Sequence, residues 1–352
     1  RRREVTLPLL HVAAASSGGM LPPDEKGATL TPLILKLPNA RKVLRLLGGV
    51  TPQTKLLILY DPTTAANAEA LAVAASELGA QFSMLREMPA THHGGQLSDI
   101  AAAAMKEADL VVAPMQTNAA HTNARRAAQE EAGTHVICLP EATADDFFLA
   151  PGWNADFEAL RPQIDALGAA LDRAETARVT SRHGTDITMS IKGRRGRALN
   201  GFANGVDISA GYCLEASIAP VEGTANGIIV VDASIPGFGL IGPDPVVIHY
   251  KDGMATSIEG GPQADGFRAL LESFDDLNVY NLGELGIGMN PECRLDGTML
   301  SDESVWGGFQ LALGTSAPGG KCQAAAHYDT VLTGAKLELD GQTVFDDRSL
   351  LL

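Results

Sequence analysis

The chain has 352 residues, room for two domains of ordinary size, and its 45% hydrophobic and 20% charged residues suit a water-soluble globular protein. Forty-two acidic against 27 basic residues leave a net charge of −15, a field that repels a phosphate backbone and argues against nucleic acid as a partner. No apolar run approaches the roughly eighteen residues that span a bilayer, and four isolated cysteines without CxxC spacing suit a reducing cytoplasm.

Residues 1–15 open with three arginines and a short apolar stretch, but Pro8 and His11 break it and Ser-Ser-Gly-Gly follows. That pattern argues against a cleaved leader and leaves a cytoplasmic protein as the expectation. From Lys55 the sequence alternates strand and helix signals. Lys55–Tyr60 (KLLILY) is an apolar run of the kind a buried parallel strand shows. Thr63–Leu78 reads as a helix opened by Asp61 and Pro62. Gln81–Leu85 is the next strand, Leu97–Ala108 the next helix, and Asp109–Pro114 and His135–Pro140 are two further strands. The alternation predicts a doubly wound, mostly parallel α/β sheet. Asp61-Pro-Thr-Thr follows the first strand in place of GxGxxG, which argues against a dinucleotide site.

A long helix is expected over 154–177, and there the texture changes. The 37 glycines crowd into the second half, a sign of tight turns and β-structure. Val179–Lys192 reads as a hairpin around a Gly-Thr-Asp turn. Ile228–Val231, Val246–Tyr250 and Val331–Leu339 read as strands, and Gln263–Phe274 as a helix with one apolar face. The expected organisation is an α/β domain over 1–175, followed by an α+β, strand-rich metal-binding domain over 176–352.

His327-Tyr328-Asp329 places an imidazole and a carboxylate two residues apart. In a strand both point to one face, where they suit Zn, Mn or Fe. Glu284 lies in the small, apolar segment NLGELGIGMNP, and Glu215 in CLEAS has the same character. A buried carboxylate costs several kcal/mol, on the order of 3–5, unless it is paired or bound to metal. Asp302 and Glu303 precede a glycine-rich apolar run. The cluster Lys192, Arg194, Arg195 and Arg197 reads either as a solvated hairpin or as a clamp for a substrate carboxylate. His92 and His93 form a loop pair with a surface or lid role. His11, His121, His135 and His249 stand singly, without supporting neighbours, and His183 falls in a hairpin turn.

The stretches APVEGTANG (219–227), ELGIGMNP (284–291), SDES (301–304), LALG (311–314), GGKC (319–322) and HYD (327–329) resemble the aminopeptidase T/S family of metallopeptidases. They equally resemble the related 2,5-dihydroxypyridine 5,6-dioxygenases. The resemblance implies metal ligands at Glu215, Glu284, Glu303, His327 and Asp329, and a homodimer. Two departures go with it. Gln310 stands where the aminopeptidases carry a histidine, and Thr315-Ser316-Ala317-Pro318 lacks their tyrosine. The dioxygenases hold Fe(II) with two histidines and an aspartate; His327 and Asp329 match two of these, and the third position falls at Glu284.

Together these readings lead to a metal-dependent hydrolase of a C–N bond in a small peptide-like or cyclic amide. A Zn, Mn or Co ion lies at Glu284, His327 and Asp329, with Glu215 or Glu303 as general base. The alternatives are an Fe(II)-dependent ring-cleaving dioxygenase of a hydroxylated N-heterocycle and a non-catalytic, ligand-binding relative.

Overall fold

The computed structural model describes residues 31–90, 95–204 and 206–352, and Thr31–Leu352 form one compact unit. The residues 1–15, His11, His92 and His93 discussed above lie outside the described residues.

The first half runs α1 (Leu33–Arg41), a π-helical turn (Lys42–Leu47), β1 (Lys55–Tyr60), α2 (Ala65–Glu77), β2 (Gln81–Arg86), α3 (Asp99–Lys106), β3 (Leu110–Pro114), α4 (Asn123–Ala132), β4 (His135–Leu139) and α5 (Phe157–Arg173). The four strands pair in parallel in the order β2-β1-β3-β4. Local chemistry sets the helix starts: Ser98, Thr122 and Asp156 each accept a backbone N–H of the first turn, from Ala101, Arg125 and Ala159. Helix α4 ends at Gly133 in the left-handed conformation, φ 71°. Strand order reverses between β1 and β3, and the crevice at such a reversal is where open α/β sheets bind ligands. Asp61, at the end of β1 and fully buried, accepts from the amides of Thr63 (2.8 Å) and Gln116 (2.6 Å). It thereby fixes the loop that leaves β3.

The second half runs β5 (Thr176–Ser181), β6 (Asp186–Ser190), β7 (Arg197–Leu199), β8 (Glu215–Ile218), β9 (Asn226–Val231), β10 (Ser234–Ile235), β11 (Gly239–Leu240), β12 (Val246–Lys251) and β13 (Met254–Glu259). It continues through α6 (Pro262–Glu272), β14 (Leu282–Gly288), α7 (Met299–Ser304), β15 (Phe309–Gly314), β16 (His327–Tyr328), β17 (Val331–Leu332), β18 (Ala335–Leu339), β19 (Gln342–Asp346) and β20 (Ser349–Leu350). These strands form two antiparallel sheets. One has the order β13-β12-β9-β6-β5-β18-β19-β20; the other has β11-β10-β17-β15-β14-β8-β7, with β16 on β15.

Several expectations need correction. The strand read over Val331–Leu339 is two strands, because Gly334 takes a φ of 58° and the Thr333 amide turns to Asp232 (2.9 Å). The helix read over 154–177 spans only Phe157–Arg173, since Pro151–Asn154 forms a separate 3-10 turn. Strand β16 ends at Tyr328, so Asp329 follows the strand rather than lying in it. Helices α1 and α4 gave no sequence signal that set them apart.

One hydrophobic core runs through both halves, from Ala40 and Leu56 past Trp153 and Phe157 to Ile218, Phe309 and Phe345. A smaller cluster around Leu59, Met105, Val111 and Val136 covers the other face of the parallel sheet. Among the described residues no helix is long and apolar enough to cross a membrane.

Candidate metal centre

The register of β7, β8, β14 and β15 builds the floor of a cleft. Arg197 lies opposite Ser217, Ser217 opposite Gly286, and Gly286 opposite Gln310. One step along, Glu215 pairs with Gly288; on the other side Glu284 pairs with Ala312. Residues two apart share a face, so Glu215, Ser217, Glu284 and Gln310 lie on one side, where Glu215 and Glu284 line the cleft, while Ala216, Ile218, Leu285, Ile287 and Leu311 are buried in the core. Glycines make the crossing possible. A Cβ on Gly286 would stand 2.6 to 2.8 Å from the Gln310 side chain, which passes over it to donate from Nε2 to Glu215. A Cβ on Gly288 would stand 2.6 Å from the Glu303 carbonyl oxygen, so this glycine lets α7 lie close and deliver Glu303. A register shift between Leu282 and Glu284 marks a bulge, a common device for aiming a side chain beside a site.

His327 closes one side. Its Nδ1 meets the Thr315 carbonyl oxygen at 2.7 Å, so Nδ1–H donates there and Nε2 is turned toward the carboxylates. Nε2 lies 3.5 Å from a Glu284 oxygen and 3.5 Å from an Asp329 oxygen. Across the cleft His121, on the loop after β3, stacks on His327 with ring centroids 4.9 Å apart. Glu222 secures the segment that carries Thr315. Its carboxylate accepts from the Ser316 hydroxyl (2.9 Å) and the Lys321 (2.6 Å) and Cys322 (3.1 Å) amides, and it pairs with Arg194. Arg194 also donates to the Gly319 carbonyl oxygen at 2.6 Å.

The cleft is crowded with negative charge. Burial, then the Glu284 and Asp329 charges, pushes Glu215 up to about 8. Burial also raises Glu284, against the pull of Arg197 and His327. Burial, then Asp329 and Glu215, raises Glu303 well above the carboxylate range. Burial works to lower His327, but Asp329 and Glu284 overcome it and lift the imidazole to about 9. His121 is held well below its ordinary value by burial and by the positive His327 and Arg197. Arg197, only 3% exposed, lies 3.6 Å from Glu284 and 3.5 Å from Asp207.

This donor set fits a divalent cation. One imidazole and several carboxylates are hard, oxygen-rich donors. Two atoms bound to one ion at about 2.0–2.2 Å stand roughly 3–3.5 Å apart, the spacing of Nε2 from its two carboxylate neighbours. Glu303 Oε1 is buried and has no hydrogen-bond partner among the described residues, an arrangement a cation relieves. Among the described residues no group of three or more His, Cys, Asp or Glu is spaced to hold a metal ion as it stands, so binding would need these side chains to draw together. Glu215, Glu284, Glu303, His327, Asp329, His121 and Arg197 all line the same cavity of about 200 Å³.

The sequence profile of a family described as NicX, 2,5-dihydroxypyridine 5,6-dioxygenase, matches residues 37–351. The chain belongs to this family. A 2,5-dihydroxypyridine 5,6-dioxygenase of Pseudomonas putida is 27% identical over 137 residues, 36% of this chain; the match spans 39% of that relative's length. The solved structure of 2,5-dihydroxypyridine dioxygenase from Pseudomonas putida superposes with a TM-score of 0.78 at 21% identity, covering 91% of this chain and 98% of the other. Wild-type AmpT from Thermus thermophilus superposes with a TM-score of 0.65 at 15% identity, covering 91% and 99%. At these identities the two structures establish a shared fold.

Within this NicX-type fold the five residues singled out in the sequence converge on one cleft. The basic cluster does not act as a unit. Lys192 is exposed beside Glu175 (2.9 Å) and Arg195 pairs with Asp207, while Arg194 and Arg197 are buried. The solvated-hairpin reading therefore fails for Arg194 and Arg197, whose guanidinium groups each face an acid. His135 and His249 are not among the lining residues. His183 sits 3.5 Å from Asp232 in its hairpin. His121 was set aside in the sequence as unsupported, and the structure places it in the cleft. Its signal was topological: it follows β3, at the reversal of strand order.

Proposed function

We propose that the chain is a metal-dependent enzyme that opens the ring of a small, hydroxylated N-heterocycle, with one divalent ion held by His327, Asp329 and Glu284. The observation that carries this reading is the setting of His327. Its Nδ1 is committed to Thr315, and its Nε2 faces Glu284 and Asp329 at 3.5 Å each. A second ion of the kind the resemblance to aminopeptidases implies would need Glu215 and an imidazole at position 310. Here Gln310 holds Glu215 instead. Bound Fe(II) would supply the chemistry by which dioxygen attacks the ring.

The side chains of the cleft then have separate roles. His121, kept neutral by burial and positive neighbours, is too weak a base to take a proton and serves as a hydrogen-bond acceptor for a ring hydroxyl. Arg197 favours the charged form of Glu284 against the burial that raises its carboxyl.

The hydrolase that the sequence alone put first is the second reading. Glu284 favours it, standing where a second imidazole completes the common Fe(II) triad. Glu215 favours it too: a carboxyl pushed up to about 8 is near the pKa of an efficient base.

The test is metal content and turnover together, on wild type and His327→Ala. About one equivalent of iron, lost in the variant, with oxygen uptake on 2,5-dihydroxypyridine supports ring cleavage. Amide hydrolysis with Zn, Mn or Co and no oxygen uptake would replace it with the hydrolase. Neither activity in metal-loaded protein would leave a ligand-binding relative. A homodimer and a cytoplasmic location are part of the same proposal, tested by sedimentation and by cell fractionation.

A further inference from the structure

Two arginines stand side by side near the start of α4, and the structure uses them differently. Arg125 is buried and satisfied, donating to the Ala120 carbonyl oxygen (2.7 Å) and to Gln129 (2.8 Å). Arg126 is half-buried and lines the cleft. Its bond is a single donation to the His121 carbonyl oxygen at 3.3 Å, and among the described residues it forms no ion pair. The chain carries 42 acidic residues, and Glu130 lies one helical turn away, so an acidic partner was cheap to provide. Ring cleavage of an uncharged dihydroxypyridine gives Arg126 no task.

Of the residues lining the cleft, Gln96, Asn123 and Gln323 are exposed, Arg126 is half-buried like His121, Glu303, His327 and Asp329, and Glu215 and Glu284 are buried. An anionic group cannot occupy the floor, where it would meet Glu215, Glu284, Glu303 and Asp329. It can lie by the Arg126 guanidinium, one helical turn from the exposed amide of Asn123. The planar guanidinium fork matches a carboxylate with two parallel hydrogen bonds, which a hydroxyl cannot reproduce. Arg126 also reaches the backbone of His121, whose ring stacks on His327. A ligand held by Arg126 at one end is therefore handed to the reacting imidazoles at the other. The cavity of about 200 Å³ limits the size. A cavity of about 150 Å³ takes up benzene, so this one holds one substituted ring and not a fused or polymeric ligand.

We infer that the ligand is a single-ring aromatic carboxylate, its acid group on Arg126 and its ring against His121 and His327. The inference deepens the ring-cleavage reading and rests on it for the chemistry of the ring, while the carboxylate rests on Arg126 alone.

The test separates the two. 6-Hydroxypyridine-3-carboxylate and its neutral 3-carboxamide are titrated calorimetrically into the purified full chain and into Arg126→Gln. The expected result is at least about ten-fold tighter binding of the carboxylate by wild type, and equal binding of both by the variant. Retained carboxamide binding by Arg126→Gln reports that the variant is folded. Equal binding of the two ligands by wild type, or an undiminished carboxylate preference in Arg126→Gln, would overturn the inference. Oxygen uptake on 2,5-dihydroxypyridine is measured beside it. Uptake with no carboxylate preference keeps ring cleavage and overturns the acid site. An Arg126-dependent preference without uptake on any dihydroxypyridine, charged or uncharged, keeps the acid site and removes ring cleavage.

Discussion

Glu215 is an ionisable group in a buried place, and a neutral side chain, Gln310, makes it tolerable by donating to it. Gln310→Leu keeps the volume and removes the donor. The expected cost is about 1–3 kcal/mol, read from urea unfolding of the metal-free protein. Arg197→Leu is the harsher change, since it strips the guanidinium from beside Glu284 and Asp207; about 3–5 kcal/mol should be lost in the same measurement. His121→Ala should lower kcat by up to about ten-fold while leaving bound metal unchanged, as for the loss of one hydrogen bond to the substrate. Metal lost in that variant would make His121 a ligand instead. Glu284 stood out in the sequence because a charge inside a small, apolar strand has few explanations, and His327 and Asp329 because they lie two residues apart. His121 and Arg126 were not, because Thr117 to Arg126 has no period and no apolar contrast to set a functional residue against.

The strands of the floor are spaced by glycines whose roles differ. At Gly286 an added methyl meets the flexible end of Gln310, whereas at Gly288 it meets backbone atoms of Glu303 and Ser304 that cannot turn aside. Gly288→Ala should therefore cost about 1–3 kcal/mol and displace Glu303, and Gly286→Ala should cost less. Comparing the two unfolding midpoints checks the order. The Glu222 clasp makes a separate prediction with pH. Burial opposes ionisation of Glu222, but the Lys321, Ser316 and Cys322 donors overcome it and hold the carboxyl at about 2, down from 4.5. A depressed acid stabilises the fold fully above its ordinary value and loses that contribution as pH falls toward 2. Glu222→Gln should thus be less stable than wild type by about 1–2 kcal/mol near pH 6, with the gap closing between pH 4.5 and 2. A gap that persists in acid would show that shape and not charge holds the loop. Strands such as KLLILY were readable because burial on both faces leaves an unbroken apolar run. Helix α4 (NARRAAQEEA) was hidden because its inner face sets Arg125 and Gln129 beside Ala124 and Ala128, and α1 by Pro38 inside it.

Across the molecule, the change from parallel to antiparallel sheet falls where the sequence texture changed, near residue 175. Yet one core runs through both halves. We propose that the segments 1–175 and 176–352 are distinct in pattern and unfold together, which predicts a single calorimetric transition; two resolved transitions would make residue 175 a folding boundary. The net charge of −15 should draw divalent cations, so metal uptake should slow as ionic strength rises. The shared core was not legible in the sequence, since an apolar residue announces that it is buried but not against what. The stacked imidazoles carry a last consequence of this arrangement. His121 belongs to a loop of the parallel sheet and His327 to the antiparallel one, so any breathing of the two walls must pull these rings apart. A ligand that wedges the walls apart would loosen this stack, and the ring resonances of His121 and His327 should shift together when it binds.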